Sequence, residues 1–241
     1  MTADSGDRAA RTLALKGFID LGCEILRTNE AAHYGFRPPH HRGFQPGFMP
    51  PAKATKLLVL GANPSSGKRH ESTSQRTDEE RSLKRWKDEG TVEAYLEAYG
   101  VFLRDFQSWT VFAEWVRPVL EAAVVSVTEI AWLNTVKSPT PSGFAPPVDM
   151  VRLDSSWLRR QIELVRPDAI LYGGVAVAKN VRKFLGDGLP PRVVQNRNRH
   201  LTAEQRSQIP RIHRELGRRI RAILDGASVG GWGTTCESRP R

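Results

Sequence analysis

The chain reads as an α/β protein with three layers, α/β/α, around a central four-stranded parallel sheet. Three observations predict this. Short, nearly all-apolar runs stand at residues 56–61 (KLLVLG), 124–133 and 168–172 (DAILY), the pattern of strands covered on both faces. Stretches with apolar residues at helical spacing separate them. The alternation of strand and helix argues for crossover connections and hence for parallel pairing.

The elements follow in order. Leu13, Gly17, Leu21 and Ile25 recur at helical spacing and predict a helix over 8–28. Residues 33–53 hold five Pro and three Gly among several aromatics, which breaks every regular period and predicts an ordered aromatic loop or a linker. The first strand, 56–61, ends in glycine. Residues 65–77 are polar loop, 78–89 a charged helix, and Val92, Leu96, Tyr99, Leu103 and Phe106 mark the stripe of another. A further helix over 110–122 carries Pro118, where a kink or break is expected. The second strand, 124–133, is followed by a proline-rich loop at 139–147. A helix over 155–165 leads to the third strand at 168–172, then Gly173–Gly174 and a helix to about 185. Residues 192–194 form a short fourth strand. Thr202 and Gln205 fit a capping box that opens a last helix to about 224, with a kink expected at Pro210. The organisation is therefore an N-terminal helix and aromatic loop (1–55), an α/β domain (56–225) and a disordered tail (226–241).

Composition narrows the function classes. Lys and Arg outnumber Asp and Glu by ten, 36 against 26. Nine arginines lie between 192 and 221 against Glu204 and Glu215, so seven of the ten excess charges sit in one segment. A basic surface of that density attracts polyanions by counterion release. Two cysteines, Cys23 and Cys236, leave no disulfide framework and no iron–sulfur site. No apolar run approaches the roughly 20 residues that cross a bilayer, and residues 1–18 carry early acids with no apolar core of a leader. The expectation is a cytoplasmic monomer, nucleoid-associated if bacterial, with no membrane partner. The His40–His41 pair has no third ligand at a turn or helix spacing, so no metal and no cofactor is expected.

In an open parallel sheet, ligands bind beyond the carboxyl ends of the strands. The first strand is followed by Gly61-Ala62-Asn63-Pro64-Ser65-Ser66, in which glycine permits a sharp turn and proline fixes the next bend. It is neither a Walker-type phosphate loop nor GxGxxG. The second strand is followed by Asn134 and Lys137, the third by Gly173–Gly174, and the fourth by Gln195-Asn196-Arg197-Asn198-Arg199-His200-Leu201.

In this order and spacing, three stretches resemble the uracil-DNA glycosylase superfamily, in its mismatch-specific and single-strand-selective branches. GANPSS (61–66) resembles the first motif, WLNTVKSPTP (132–141) the second strand end, and RPDAILYGGVAVAKNV (166–181) the third strand and its helix. The likeness covers roughly 56–222. The last motif, His-Pro-Ser or Asn-Pro-Ser in the family, stands here in divergent form as His200-Leu201-Thr202, with Asn196 and Asn198 just before.

The resemblance implies a DNA glycosylase of base-excision repair, hydrolysing the N-glycosidic bond of uracil or a related damaged base extruded from the stack. Asn63 would hold the water, and His200 would donate to the leaving base, with Asn198 as its substitute. Asn134, with both a donor and an acceptor, would read an imide edge, and Gly61, Ala62 and Pro64 would line the base pocket. Ser65, Ser66, Lys137, Arg197, Asn198 and Arg199 would contact DNA, and Leu201 would fill the vacated stack. Two alternatives stay open: a non-catalytic nucleic-acid-binding member of the same fold, and an α/β enzyme acting on a small nucleoside or nucleotide.

Overall fold

The computed structural model describes residues 3–36, 44–63, 73–139, 146–186, 188–195 and 202–226. The first strand, β1 (Leu57–Gly61), is buried along its whole length. It pairs in parallel with β2 (Ile130–Asn134) on one side and with β3 (Ala169–Tyr172) on the other, and β3 pairs in parallel with β4 (Arg192–Val194). The sheet is all-parallel in the order β2-β1-β3-β4, with helices between the strands, as the α/β alternation predicts. The four residues of β3 are all buried, which explains their uninterrupted apolarity.

Around the sheet lie α1 (Ala3–Arg27), α2 (Glu30–Tyr34), α3 (Thr73–Glu89), α4 (Val92–Phe106), α5 (Arg117–Ala123), α6 (Val148–Val165), α7 (Val175–Leu185), α8 (Ala203–Ser207) and α9 (Ile209–Leu224). The N-terminal helix is part of the core. Its Phe18 and Ile19 are buried, and the Ile19 carbonyl accepts a hydrogen bond from the indole of Trp86 on α3. Gly22 leaves the space that this indole fills.

Several boundaries differ from the sequence reading, each for a local reason. The expected strand over 124–133 is only Ile130–Asn134. Val124 terminates α5 in the left-handed region (φ 55), and Ser126 and Glu129 then form a capping box around a 3₁₀ turn, Val127–Glu129. The helices expected over 78–89 and 155–165 start earlier, at Thr73 and Val148. The break expected near Pro118 is present: a π-helical turn, Phe112–Val116, ends there, and Pro118 occupies the first turn of α5, where its missing N–H costs nothing. The single helix expected from 202 to 224 is two, and Pro210 sits in the first turn of α9. The Thr202–Gln205 capping box is present and opens α8.

The aromatic segment has a definite place. Phe48 exchanges both backbone hydrogen bonds with Trp132, so the segment closes the open edge of β2. Its Gly47 has φ 86, and a Cβ there would fall 2.5 Å from the Trp132 carbonyl oxygen. The Phe48 ring stacks on Phe102 of α4, and Tyr95 bonds both backbone groups of Met49. The tail expected at 226–241 lies outside the described residues beyond Gly226.

Candidate active site

The ends of β1 and β2 are joined more tightly than a strand ladder requires. Gly61 stands opposite Asn134 in register. Beyond them, Thr135 N–H donates to the Gly61 carbonyl at 3.0 Å and Val136 N–H to the Ala62 carbonyl at 2.9 Å. The Thr135 hydroxyl also donates to the Ala62 carbonyl at 2.6 Å. The turn carrying Ala62 and the partly buried Asn63 is therefore held against the turn carrying Asn134.

Gly61 is a glycine for a reason other than the sharp turn expected of it. Its φ is not positive. A Cβ at Gly61 would lie 2.4 Å from Asn134 Oδ1, so the absent side chain makes room for the Asn134 amide. Asn134 itself is only 5 % exposed. The structure thus brings Gly61, Ala62, Asn63 and Asn134 to one place at two neighbouring strand ends. Pro64, Ser65, Ser66, Arg197, Asn198, Arg199, His200 and Leu201 lie outside the described residues.

The sheet order places the ligand crevice. The chain leaves β1 toward β2 on one side, and leaves β3 toward β4 on the other, so the segments after these adjacent strands diverge. Gly173 N–H reaches across to the Leu60 carbonyl at 2.9 Å. The α7 helix starts at Gly174 with no side-chain cap, which directs the positive end of its backbone dipoles to the same end of the sheet.

Lys137 is not where a phosphate contact needs it. Its side chain is completely enclosed, and Nζ donates to the Asn134 carbonyl at 2.6 Å. Its backbone N–H donates to Asp154 Oδ2 at 2.7 Å, and its carbonyl accepts from Gln45 N–H at 2.8 Å. A DNA phosphate is reached by an exposed ammonium, and this one is interior, so the assignment of Lys137 to the DNA surface is corrected. Burial pulls its pKa down from 10.5 to about 7, with the Asp154 carboxylate opposing part of the fall.

Asp154 is the centre of a network that the sequence reading did not find. Fully buried on α6, it accepts from the Tyr34 hydroxyl and from His33 Nε2, both at 2.8 Å, besides Lys137 N–H. Burial, with the Asp154 charge adding to it, pushes the Tyr34 phenol well above its usual range. The His33 ring lies flat on Trp157 at 4.3 Å, and the Trp157 indole donates to Glu24 of α1 at 2.9 Å. One signal could have found Asp154. It shares the buried stripe of α6 with Met150, Val151, Trp157, Leu158 and Gln161, and an acid on an apolar stripe is a buried polar group in need of partners.

The basic surface is partly visible. Arg211, Arg214, Arg218 and Arg221 follow one exposed stripe of α9, while His213, Leu216, Gly217, Ile220 and Ile223 form its buried face. Glu215 pairs with Arg218 and Arg219, and Asp225 with Arg221, so part of the charge is balanced locally. The opposite wall of the β4 end is built by Gln195, whose amide donates to the Trp115 carbonyl within the π-helical turn at 2.7 Å.

No protein-family model and no curated protein matches the chain. A cleft of about 330 Å³ opens between α1, α3 and the aromatic segment, lined by Leu26, Phe44, Gln45, Leu83 and Lys87. No described helix is long and apolar enough to cross a membrane.

Proposed function

We propose that the protein is a DNA N-glycosylase that hydrolyses the bond between deoxyribose and uracil or a related damaged base. The observation that carries this reading is the pairing of Gly61 with Asn134. It fixes one amide at the end of β2 beside a second, Asn63, just past the end of β1, at the side of the sheet where ligands bind. The likeness of GANPSS and WLNTVKSPTP to the glycosylase motifs falls on these residues, and the arginine stripe of α9 supplies a surface suited to a polyanion.

The chemistry asks little covalent help of a protein. As the C1′–N bond breaks, its electron pair leaves with the base, positive charge develops on the sugar, and water adds at C1′, its proton passing to solvent as the base anion takes one up, so that a free sugar hydroxyl and a neutral base result. Asn63 orients that water. Asn134 offers one donor and one acceptor, the complement of a uracil imide edge. Its rigid placement means that the site does not reorganise as charge develops on the base. His200, or Asn198 in its place, donates to the departing base. Ser65, Ser66, Arg197 and Arg199 hold phosphates, and Leu201 fills the vacated stack. The enzyme acts as a cytoplasmic monomer with no metal and no cofactor.

The test is base release from single- and double-stranded oligonucleotides carrying uracil, hypoxanthine or other altered bases. Asn63→Ala lowers release by about 10²–10³-fold, the loss of one well-placed stabilising group, with DNA binding largely kept. Binding weakens steeply with salt, by a slope of about −0.7 per phosphate on single strands. Unchanged cleavage by Asn63→Ala refutes the catalytic assignment. A parent that binds DNA with this salt response but releases no base is a binding member of the fold. A salt-independent response leaves the small-molecule reading.

A further inference from the structure

Lys137 has no part in the reaction outlined above, yet the fold goes to some trouble to bury it. Enclosing an amine forfeits its hydration, and a methionine or leucine would fill the same volume without that cost. Whatever justifies the amine must be the bonds it makes.

The amine makes one, to the backbone carbonyl of Asn134, three residues back, and closes the turn after β2. The same residue's N–H is anchored on Asp154, and its carbonyl on Gln45 of the segment that covers the β2 edge. Asn134 is thus gripped at its carbonyl by Lys137, while its side-chain oxygen lies in the space left by Gly61. The lysine bond fixes the backbone at Asn134, from which the side chain reaches the space left by Gly61.

We propose that Lys137 is a positioning residue for base recognition: with its backbone N–H held by Asp154, its amine fixes the backbone that carries the Asn134 side chain beside Gly61, and so sets which base is accepted without touching one. The word "base" rests on the glycosylase reading; the positioning of Asn134 does not. An ionised donor makes a stronger hydrogen bond than a neutral one. With the amine titrating near 7, the grip tightens as pH falls through neutrality. The groups that face it are Asp154 on α6 and, through Asp154, His33 and Tyr34 on α2, with Glu30 beside Tyr34. His33 is the imidazole in contact with Asp154.

The experiment follows the side-chain amide resonances of Asn134 by NMR in the ¹⁵N-labelled full chain, from about pH 6 to about pH 8.5. The amide is expected to shift with a midpoint near 7 in the parent, to keep that shift in His33→Gln, and to lose it in Lys137→Met. In parallel, kcat/KM for uracil release falls on the order of ten- to a hundredfold in Lys137→Met, the loss of one hydrogen bond to a charged group, with affinity for undamaged DNA unchanged. A parent amide that does not titrate near 7 overturns the proposal, and needs no variant to fold. So does a titration abolished by His33→Gln, or an Asn134 resonance that Lys137→Met leaves in place. If the parent releases no base, the glycosylase reading fails while the amide titration still decides the role of Lys137.

Discussion

Stability should rise with pH just above neutrality, and Lys137 is the reason. In the unfolded chain its amine has the ordinary pKa of 10.5; folding lowers it to about 7. Between those values the unfolded chain carries a proton there that the folded chain has lost. The unfolded state binding more protons is the condition for stability to increase with pH, at about 1.4 kcal/mol per pH unit for one full proton. The whole interval corresponds to about 5 kcal/mol, present above 10.5 and absent below 7. Other groups frame the usable window. His213, lowered by burial, contributes in the same direction but only below its ordinary 6.5. The Cys23 thiol, raised by burial, works in the opposite direction from about 9 upward, as do the buried phenols Tyr34 and Tyr95 at higher pH.

Urea unfolding at about pH 7.5 and about pH 9 therefore isolates Lys137, and a rise of about 2 kcal/mol is expected between them. In Lys137→Met the two values coincide. At the higher pH the variant is less stable than the parent by about 1–3 kcal/mol, because the Asn134 carbonyl is left buried without its donor. At lower pH the parent bears the cost of charging a buried amine, and the two curves approach or cross. A parent whose stability is the same at both pH values would refute the reasoning, and so would a Lys137→Met variant that keeps the parent's slope.

Two further substitutions test the packing around the site. Asp154→Asn should cost about 3–5 kcal/mol in urea unfolding, since it removes the charge and turns one of two accepting oxygens into a donor facing donors; a loss under about 1 kcal/mol would mean the network is not needed for folding. Gly217→Ala on α9 should lower stability by about 1–3 kcal/mol despite the better helix propensity of alanine. The new Cβ would lie 2.4 Å from the Ala122 Cβ and 2.8 Å from the Val119 carbonyl, and a thermal melt at or above the parent's would show that α5 and α9 can separate without cost.

The parts of this fold that were legible in the sequence are those whose cause is local. The strands β1 and β3 lie within a residue of the apolar runs that predict them, because burial on both faces leaves nothing but apolar side chains. The second strand was misread because its apolar run is shared: Val124 and Val125 follow the end of α5, and only Ile130 onward joins the sheet. The correction was nonetheless written in Ser126 and Glu129, three apart, a capping box inside the expected strand. Lys137 shows the other limit. In a polar stretch between an asparagine and a proline it looks like a surface lysine, yet it is fully buried and its backbone is held by Asp154 and Gln45, neither near it in sequence.

The aromatic segment links these observations. As sequence, 44–49 is only a run of Pro, Gly and Phe between a helix and a strand. In the fold it protects the exposed edge of β2, which would otherwise present unpaired backbone groups beside the candidate site. It also ties that edge to two helices and to the turn after β2. Tyr95 of α4 holds Met49, Gln161 of α6 donates to the Pro46 carbonyl, and Gln45 N–H holds the Lys137 carbonyl. Asn134 is therefore fixed from both sides. On one side, the parallel ladder to β1 sets its register and Gly61 its clearance. On the other, the covering segment and α6 hold Lys137, which in turn holds the Asn134 carbonyl. A single asparagine at the end of an edge strand would ordinarily be among the more mobile groups of a sheet. Here the edge is closed and the turn is held by a buried amine, so the backbone that carries the Asn134 side chain has a fixed position.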